Sequence, residues 1–258
     1  MGIEKIVDNE FTKLFEIHSG VLKQKFNSRR INFYPCSDIE IAQNTIMDLV
    51  NGFKKQEGKT KIGFADSVTL HQLDIFRIIG ELENCELINP MERFDDGKYK
   101  VFGELPAGKL DLPRDQYFKL MSKLWDKMRE SLNTDIFITG ANAITLNGQI
   151  VSTDGTGNRV SGMIFGPEKV IIVVGKNKIC RDLEEAIKRN RNVAAPLNYF
   201  RHNLKHHNRF DNPCMKLGYC TDCNSPRRGC LKTVIIDGEM EGFKNRTHLV
   251  LVNEELGF

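Results

Sequence analysis

The sequence lacks the features that would place the protein in a membrane, in an export pathway or on a nucleic acid. No stretch of its 258 residues approaches the roughly 18 consecutive apolar residues that a membrane-spanning helix needs. The opening residues MGIEKIVDNEF are charged and contain no apolar core of the signal-peptide kind. A net charge of +3 gives too weak an average field to attract nucleic acid. We therefore expect a cytoplasmic protein with no membrane span and no nucleic-acid partner.

Several catalytic and nucleotide-binding signatures are absent as well. The chain has no G-x-G-x-x-G fingerprint, no P-loop, no recognisable nucleophile triad and no coiled-coil repeat. Hydrophobic residues make up 40% of the chain and charged residues 28%, a balance that excludes a disordered chain and permits one sizeable core. The sequence thus predicts a single folded domain over residues 1–258.

Hydrophobic patterns predict alternating helices and strands. Apolar residues at helical spacing predict a helix over residues 4–28, within an N-terminal helical region of residues 1–55. A short strand is predicted at residues 31–34, and apolar runs predict further strands at residues 61–65, 86–89, 135–139, 170–174, 234–237 and 248–252. Such alternation is typical of a three-layer α/β fold, with a mostly parallel sheet covered by helices on both faces. Because ligands bind at the carboxyl ends of such strands, the loops after residues 65, 139 and 174 are the places to search.

Local signals give further helix boundaries. Ser37 followed three residues later by Glu40 is typical of a capping box and predicts a helix that begins after Ser37. Apolar periodicity predicts helices over residues 70–82, 117–128 and 181–191. Residues 90–113 show little periodicity, which indicates a long irregular connection.

Residues 140–159 form a polar segment after a predicted buried strand. Asn147-Gly148 predicts a β-hairpin in which both turn residues need a positive φ. The glycines of the run TDGTGNR let backbone N–H groups approach a ligand, and Arg159 favours an anion. The alternative is that these polar side chains only cap turns. The candidate ligand-binding residues here are Gly140, Asn142, Thr153, Gly155, Gly157, Asn158 and Arg159.

Hydroxyl and amine side chains follow two other predicted strands. Ser67 and Thr69 lie where a strand turns into a helix, so their hydroxyls can bind a carboxylate or phosphate, or can serve as ordinary N-caps. Lys178 follows the strand at residues 170–174 and is a candidate anion contact, the alternative being a solvated surface lysine. Together with Arg159, these residues predict a small anionic metabolite as the ligand.

Four of the seven cysteines cluster late in the chain, within a basic segment of residues 199–232 that we call the cysteine segment. We expect it to be a loop inserted before the last strands. Four thiolates can hold a zinc ion or an iron–sulfur cluster, and the surrounding Lys, Arg and His side chains would stabilise them. The spacings match neither a zinc ribbon nor a ferredoxin, so reduced thiols or a handling disulfide are the alternative. The candidate ligands are Cys214, Cys220, Cys223 and Cys230.

Longer runs resemble one protein family over nearly the whole chain. TGANAITLNGQIVSTDGTGNRVSGMIFGPEKVIIVVGKNKI, then LEEAI and NVAAP, resemble the signature of the lactate-utilisation (LUD, or DUF162) domain family. The runs ADSVT, PC…GYCTDCNSP and LVNEELGF resemble it too. The resemblance implies a fold similar to the ribose-phosphate isomerase and CoA-transferase group. It also implies a 2-hydroxy or 2-oxo acid as ligand and a role in oxidation or electron transfer beside an iron–sulfur or redox partner protein, which favours a cluster over zinc.

A more distant resemblance bears on catalysis. GANAITLNGQIVSTDGTGN is similar to a loop of methylthioribose-phosphate isomerases in which an Asp acts as acid and base. The matching residue here is Asn142, whose amide cannot take up a proton at neutral pH but can orient a ligand. An isomerase-like or acyl-transferase-like enzyme would therefore need Asp154 or Asp66 as its base. A non-catalytic regulatory protein is the third hypothesis, and the oligomeric state is not predicted.

Overall fold

The computed structural model of the chain describes residues 3–93, 100–102, 114–205 and 210–258. Its strands are β1 (Asn32–Cys36), β2 (Thr60–Phe64), β3 (Cys85–Ile88), β4 (Ile136–Gly140), β5 (Ala143–Thr145), β6 (Ile150–Asp154), β7 (Lys169–Gly175), β8 (Ile179–Cys180), β9 (Lys232–Ile236) and β10 (Thr247–Val252). Its helices are α1 (Ile3–Ser28), α2 (Ile39–Phe53), α3 (Val68–Gln72), α4 (Ile75–Gly80), α5 (Arg114–Glu130), α6 (Asn158–Ile164), α7 (Leu183–Arg189), α8 (Ala195–Lys205) and α9 (Pro213–Leu217).

Six strands form one parallel sheet in the order β1-β10-β7-β4-β2-β3. Helices cover both faces: Leu22 and Phe26 of α1 belong to one buried core, and Ile46 and Val50 of α2 belong to the other. The apolar run of β7 is fully buried, as expected of a central strand with helices on each side. The predicted three-layer α/β fold with a parallel sheet is confirmed.

A second, smaller sheet has the order β8-β5-β6-β9 and contains the predicted hairpin β5–β6. Its turn differs from the prediction, because only Gly148 has a positive φ, at +83°, whereas Asn147 does not. The Gly148 N–H donates to Thr145 O at 2.8 Å, and the Thr145 N–H donates to Gln149 O at 2.9 Å. This is a three-residue loop with glycine in the left-handed position, which needs only one positive φ.

Two helix predictions are corrected by local hydrogen bonding. The Asp38 carboxylate, rather than Ser37, caps α2 by accepting from the Ile41 N–H at 2.8 Å, while the Ser37 hydroxyl donates to Asp38. The helix predicted over residues 70–82 is divided into α3 and α4, because Asp74 adopts a left-handed φ of +51°.

The two flanking regions also contain regular structure. The N-terminal region of residues 1–55 contributes β1, an edge strand of the main sheet, which confirms the short strand predicted at residues 31–34. After α7 the chain continues through a π-helix, Asn190–Ala194, into α8, so the cysteine segment begins inside a helix and also contains α9. Of the connection predicted at residues 90–113, residues 94–99 and 103–113 lie outside the described residues. Across the described parts of the chain, no helix combines the length and apolar character needed to cross a membrane.

Candidate functional site

The strand order brings together the loops that follow three central strands. β2, β4 and β7 are parallel neighbours, so their carboxyl ends lie at one edge of the sheet. From β2 the chain passes to β3, which lies at one edge of the sheet. From β4 it passes to β7, which lies on the side of β4 that faces away from β2. The strand order therefore changes direction between the neighbours β2 and β4. A cavity of about 320 Å³ lies beside this switch, where parallel α/β sheets bind their ligands.

Most of the predicted site residues line this cavity. Gly157 does not: it precedes α6 with a φ of +103°, and a Cβ atom there would lie 3.1 Å from the Lys232 side chain. Residues from all three loops singled out in the sequence contribute to the wall, and their ligand contacts stay a prediction. The lining residues that the sequence predicted are Asp66, Ser67, Thr69, Gly140, Asn142, Thr153, Asp154, Gly155, Asn158, Arg159, Lys178 and Cys230.

Gly140 lets the loop after β2 approach the end of β4. A Cβ atom at Gly140 would lie 2.6 Å from Ser67 Oγ and 3.4 Å from Val173 O, so a side chain here would force Ser67 to move. Ser67 is buried and precedes α3, but its side chain makes no capping hydrogen bond to that helix. The N-cap alternative for the Ser67 hydroxyl is therefore wrong.

Asn142 positions Arg159 in the cavity wall. Its Oδ1 accepts from the Thr153 N–H at 2.8 Å and from Arg159 Nη2 at 3.1 Å. Arg159 Nη2 also donates to Thr153 O at 2.5 Å. Burial lowers the pKa of the Arg159 guanidinium, and the charges of Asp154 and Asp66 oppose that shift. The amide oxygen of Asn142 thus accepts hydrogen bonds both from the Arg159 guanidinium and from the backbone of Thr153.

Lys178 is buried in the cavity wall, with 3% of its surface exposed. Its Nζ donates to Thr69 Oγ1 at 2.8 Å, and Thr69 Oγ1 donates in turn to Leu256 O at 3.4 Å. Thr69 is thus held by an amine on one side and a carbonyl on the other. The alternative of a solvated surface lysine is wrong.

The electrostatic surroundings of Lys178 are unusual for a lysine. Burial, reinforced by the positive charges of Arg189 and Arg159, lowers the pKa of its amine to about 7. No carboxylate in the described ranges of the chain forms an ion pair with it. The amine is therefore shared between its charged and neutral forms near neutral pH.

The two carboxylates at the cavity are held by neighbouring donors. Asp66 Oδ2 accepts from Arg201 Nη2 at 2.8 Å, and His71 Nε2 lies 3.4 Å from Asp66 Oδ1. Asp154 Oδ2 accepts from the Arg159 backbone N–H at 3.0 Å. Asp66 is thus held by side chains from α8 and α3, whereas Asp154 is held by a backbone N–H group, and a catalytic role for either residue stays a prediction.

Gly155 lies close to the backbone of the cysteine segment, at Gly229. A Cβ atom there would lie 2.9 Å from the carbonyl oxygen of Gly229, next to Cys230. The glycine loop after β6 therefore packs directly on the cysteine segment. This packing accounts for Gly155 without a ligand.

Three cavity residues were not predicted from the sequence: Asn190, Asn198 and Tyr199. Arg201 also lines the cavity, but the sequence predicted it only as one of the basic residues around the cysteines. Asn190 is 3% exposed, and its Nδ2 donates to Thr153 Oγ1 at 3.0 Å. Its Oδ1 accepts no hydrogen bond from any described residue.

Asn198 and Arg201 are three residues apart on α8, a helical spacing of polar residues that could have indicated a shared site. Asn190 begins the π-helix, a rare form frequent at functional sites but hard to read from sequence.

The four late cysteines are near one another, but they do not converge. Burial raises the pKa of Cys214, and the charges of Cys230, Cys223 and Cys220 raise it further. All four are free thiols. The described parts of the chain contain no group of three or more His, Cys, Asp or Glu side chains arranged to hold a metal ion. The residues as placed do not fit a zinc ion or an iron–sulfur cluster, and that site stays a prediction; histidines 206 and 207 lie outside the described residues.

A family model for the LUD domain matches residues 20–252 of this chain. The chain belongs to the LUD domain family. A structure of a DUF162 family protein from Deinococcus radiodurans is similar over 93% of this chain and 96% of that one, with 9% identity and a TM-score of 0.42. No curated protein matches the chain.

Other similar structures cover about half of this LUD domain protein. Ribose 5-phosphate isomerase from Plasmodium falciparum matches 55% of this chain and 54% of its own, with 16% identity and a TM-score of 0.27. The eIF2B delta subunit from Chaetomium thermophilum matches 58% of this chain and 50% of its own, with 14% identity and a TM-score of 0.28. At these scores the likeness carries no information on ligand or activity.

Proposed function

We propose that this LUD domain protein binds a small anionic metabolite, a 2-hydroxy or 2-oxo acid or a phosphorylated compound, in the cavity beside β2 and β4. The observation that carries the proposal is a pair of cations in one cavity wall, the partly buried Arg159 and the buried Lys178. The Arg159 guanidinium donates to amide and carbonyl oxygens, and the Lys178 amine donates to a hydroxyl.

Charge balance supports an anion. Arg159, Lys178 and Arg201 provide three cationic side chains at the cavity, against the side-chain carboxylates of Asp66 and Asp154, and Asp66 is paired with Arg201. A buried charge without a counter-ion costs several kcal/mol. A bound carboxylate or phosphate would offset that cost for Lys178 and would also attract Arg159.

The size and polarity of the cavity support a small ligand. About 320 Å³ is at the lower end of the range for metabolite pockets. The Oδ1 atom of Asn190 is a buried acceptor, and buried acceptors are normally hydrogen-bonded. A ligand hydroxyl that donates to Asn190 would satisfy this atom.

The test is calorimetry with L-lactate, pyruvate and inorganic phosphate on the intact chain, with Lys178→Met and Lys176→Met as a matched pair. Lys176 belongs to the same short helix but donates to Asn253, and it does not line the cavity. Loss of one buried charge partner costs about 2–5 kcal/mol, so we expect at least a roughly 30-fold weaker Kd in Lys178→Met only. Absence of binding by every anion to the wild-type protein, or equal loss in both variants, would overturn the proposal.

A further inference from the structure

The amine of Lys178 differs from the other described lysine amines in its burial. Lys55, Lys127 and Lys188 form ion pairs with carboxylates. Lys169, Lys176 and Lys232 donate to neutral oxygens but are not buried, whereas Lys178 Nζ donates to Thr69 Oγ1 from a buried position. Lys178 also lines the cavity and is almost fully buried. A buried amine without a counter-ion is costly to keep charged, and a position of this kind is typical of lysines that act as nucleophiles.

Three elements fix the position of this amine. Lys178 ends the 3₁₀ helix that follows β7, Thr69 of α3 accepts its hydrogen bond, and Gly257 is close enough that a Cβ atom there would lie 3.0 Å from Nζ. The charged groups that act on it are Arg189 from α7 and Arg159 from α6. The cavity carboxylates accept hydrogen bonds from Arg201 and from the Arg159 N–H.

We infer that Lys178 is a nucleophile that forms an imine with the carbonyl carbon of a 2-oxo acid bound in this cavity. This inference rests on the proposed function, because the carboxylate of the same ligand would bind near Arg159. It names 2-oxo acids and related carbonyl anions as the substrate class. It also assigns Lys178 a catalytic role beyond anion binding.

The step needs no oxidant or reductant. The lone pair of the neutral amine attacks the ligand's carbonyl carbon, and the C=O π electrons move to oxygen. A proton passes from nitrogen to that oxygen and gives a carbinolamine. Loss of one water molecule, with the second nitrogen proton, leaves a C=N bond between Lys178 and the ligand.

The state of the amine suits this step. Because its pKa is about 7, roughly half of the molecules carry a neutral amine at neutral pH. Desolvation next to other cations is a general way to activate a lysine. The hydrogen bond to Thr69 uses one N–H group of the neutral amine, which leaves its lone pair and its other N–H group for reaction with a ligand in the cavity that Lys178 lines.

The experiment traps the imine. The intact protein is incubated with pyruvate and sodium cyanoborohydride, and the modified residue is located by peptide mass spectrometry. We expect one reduced adduct per chain on Lys178, a yield that rises from about pH 6 to about pH 8 across the pKa of about 7, and no adduct in Lys178→Arg. Lys176→Met is the control and should be labelled like the wild-type protein, and circular dichroism should show that both variants are folded.

The outcomes separate this inference from the proposed function. Calorimetric binding of pyruvate without an adduct on Lys178 overturns the imine and leaves anion binding intact. Labelling spread over surface lysines, or equal labelling in Lys178→Arg, overturns the imine as well. If none of the three anions binds and Lys178 is not labelled, both proposals are overturned.

Discussion

The two groups of residues that the sequence marked as functional are built in different ways. Ser67, Asn142 and Lys178 of the cavity follow β2, β4 and β7, whose residues are mostly buried in the sheet, so neighbouring strands fix where each of these loops begins. Of the four late cysteines, Cys214 belongs to α9, and the other three lie outside helices and strands. Side chains at strand ends converge, whereas the thiols do not.

The difference shows how position is specified. In a parallel sheet, the order of the strands decides which loops lie near one another, so residues separated by more than 100 positions, such as Thr69 and Lys178, come within 2.8 Å. In the cysteine segment, position depends on side-chain hydrogen bonds. Arg228 donates to Cys223 O at 2.7 Å and to Cys230 O at 3.1 Å.

The largest expected effect compares one substitution in both regions. Gly140→Ala places a Cβ atom 2.6 Å from Ser67 Oγ, and overpacking of this kind costs about 1–3 kcal/mol. Gly229→Ala, in the cysteine segment, meets Tyr199 only at 3.5 Å and should change stability by less than about 0.5 kcal/mol. Urea unfolding measures both free energies. Similar costs for the two variants would contradict the view that the strand ends are the more tightly specified region.

The next effect concerns pH and tests the buried amine directly. Below about pH 7 Lys178 is protonated in both the folded and unfolded chain, and its burial cost is fully present. Between about pH 7 and pH 10.5, the ordinary pKa of a lysine, the unfolded chain keeps a proton on Lys178 that the folded chain has lost. The free energy of unfolding therefore rises with pH in this window. Relative to Lys178→Met, the wild-type free energy of unfolding should increase by roughly 1 kcal/mol per pH unit over this window.

Chemical unfolding of both proteins at several pH values measures that difference, and Lys176→Met provides the control. A flat difference between the wild-type protein and Lys178→Met would mean that the amine titrates near its ordinary value. The buried, unpaired state of Lys178 would then have to be abandoned, together with the fraction of neutral amine on which the imine depends. Anion affinity should have the opposite trend and weaken above about pH 7, since binding uses the charged amine.

The same contrast explains what the sequence could predict. Continuous apolar runs predict the strands, and the rule for parallel sheets then predicts that Ser67, Asn142 and Lys178 share one site. The sequence did not predict Asn190, because that residue begins a π-helix, a rare form that ordinary helical periodicity does not reveal. Nor did it predict the left-handed Asp74 that separates α3 from α4, since one strained residue leaves apolar periodicity unchanged.

The smallest expected effects come from the four late cysteines, replaced one at a time by serine. Cys214 is buried, so Cys214→Ser should cost about 1 kcal/mol, whereas Cys220→Ser should cost less than about 0.5 kcal/mol because that thiol is partly exposed. Four thiolates that shared a zinc ion or a cluster would behave differently, because each substitution would remove the same metal and a similar, larger stability. Metal analysis of the anaerobically purified protein, with thermal unfolding of all four variants, distinguishes the two results. Equal losses with loss of metal would establish the site expected from the spacing, and the cysteine segment would then be specified as tightly as the strand ends.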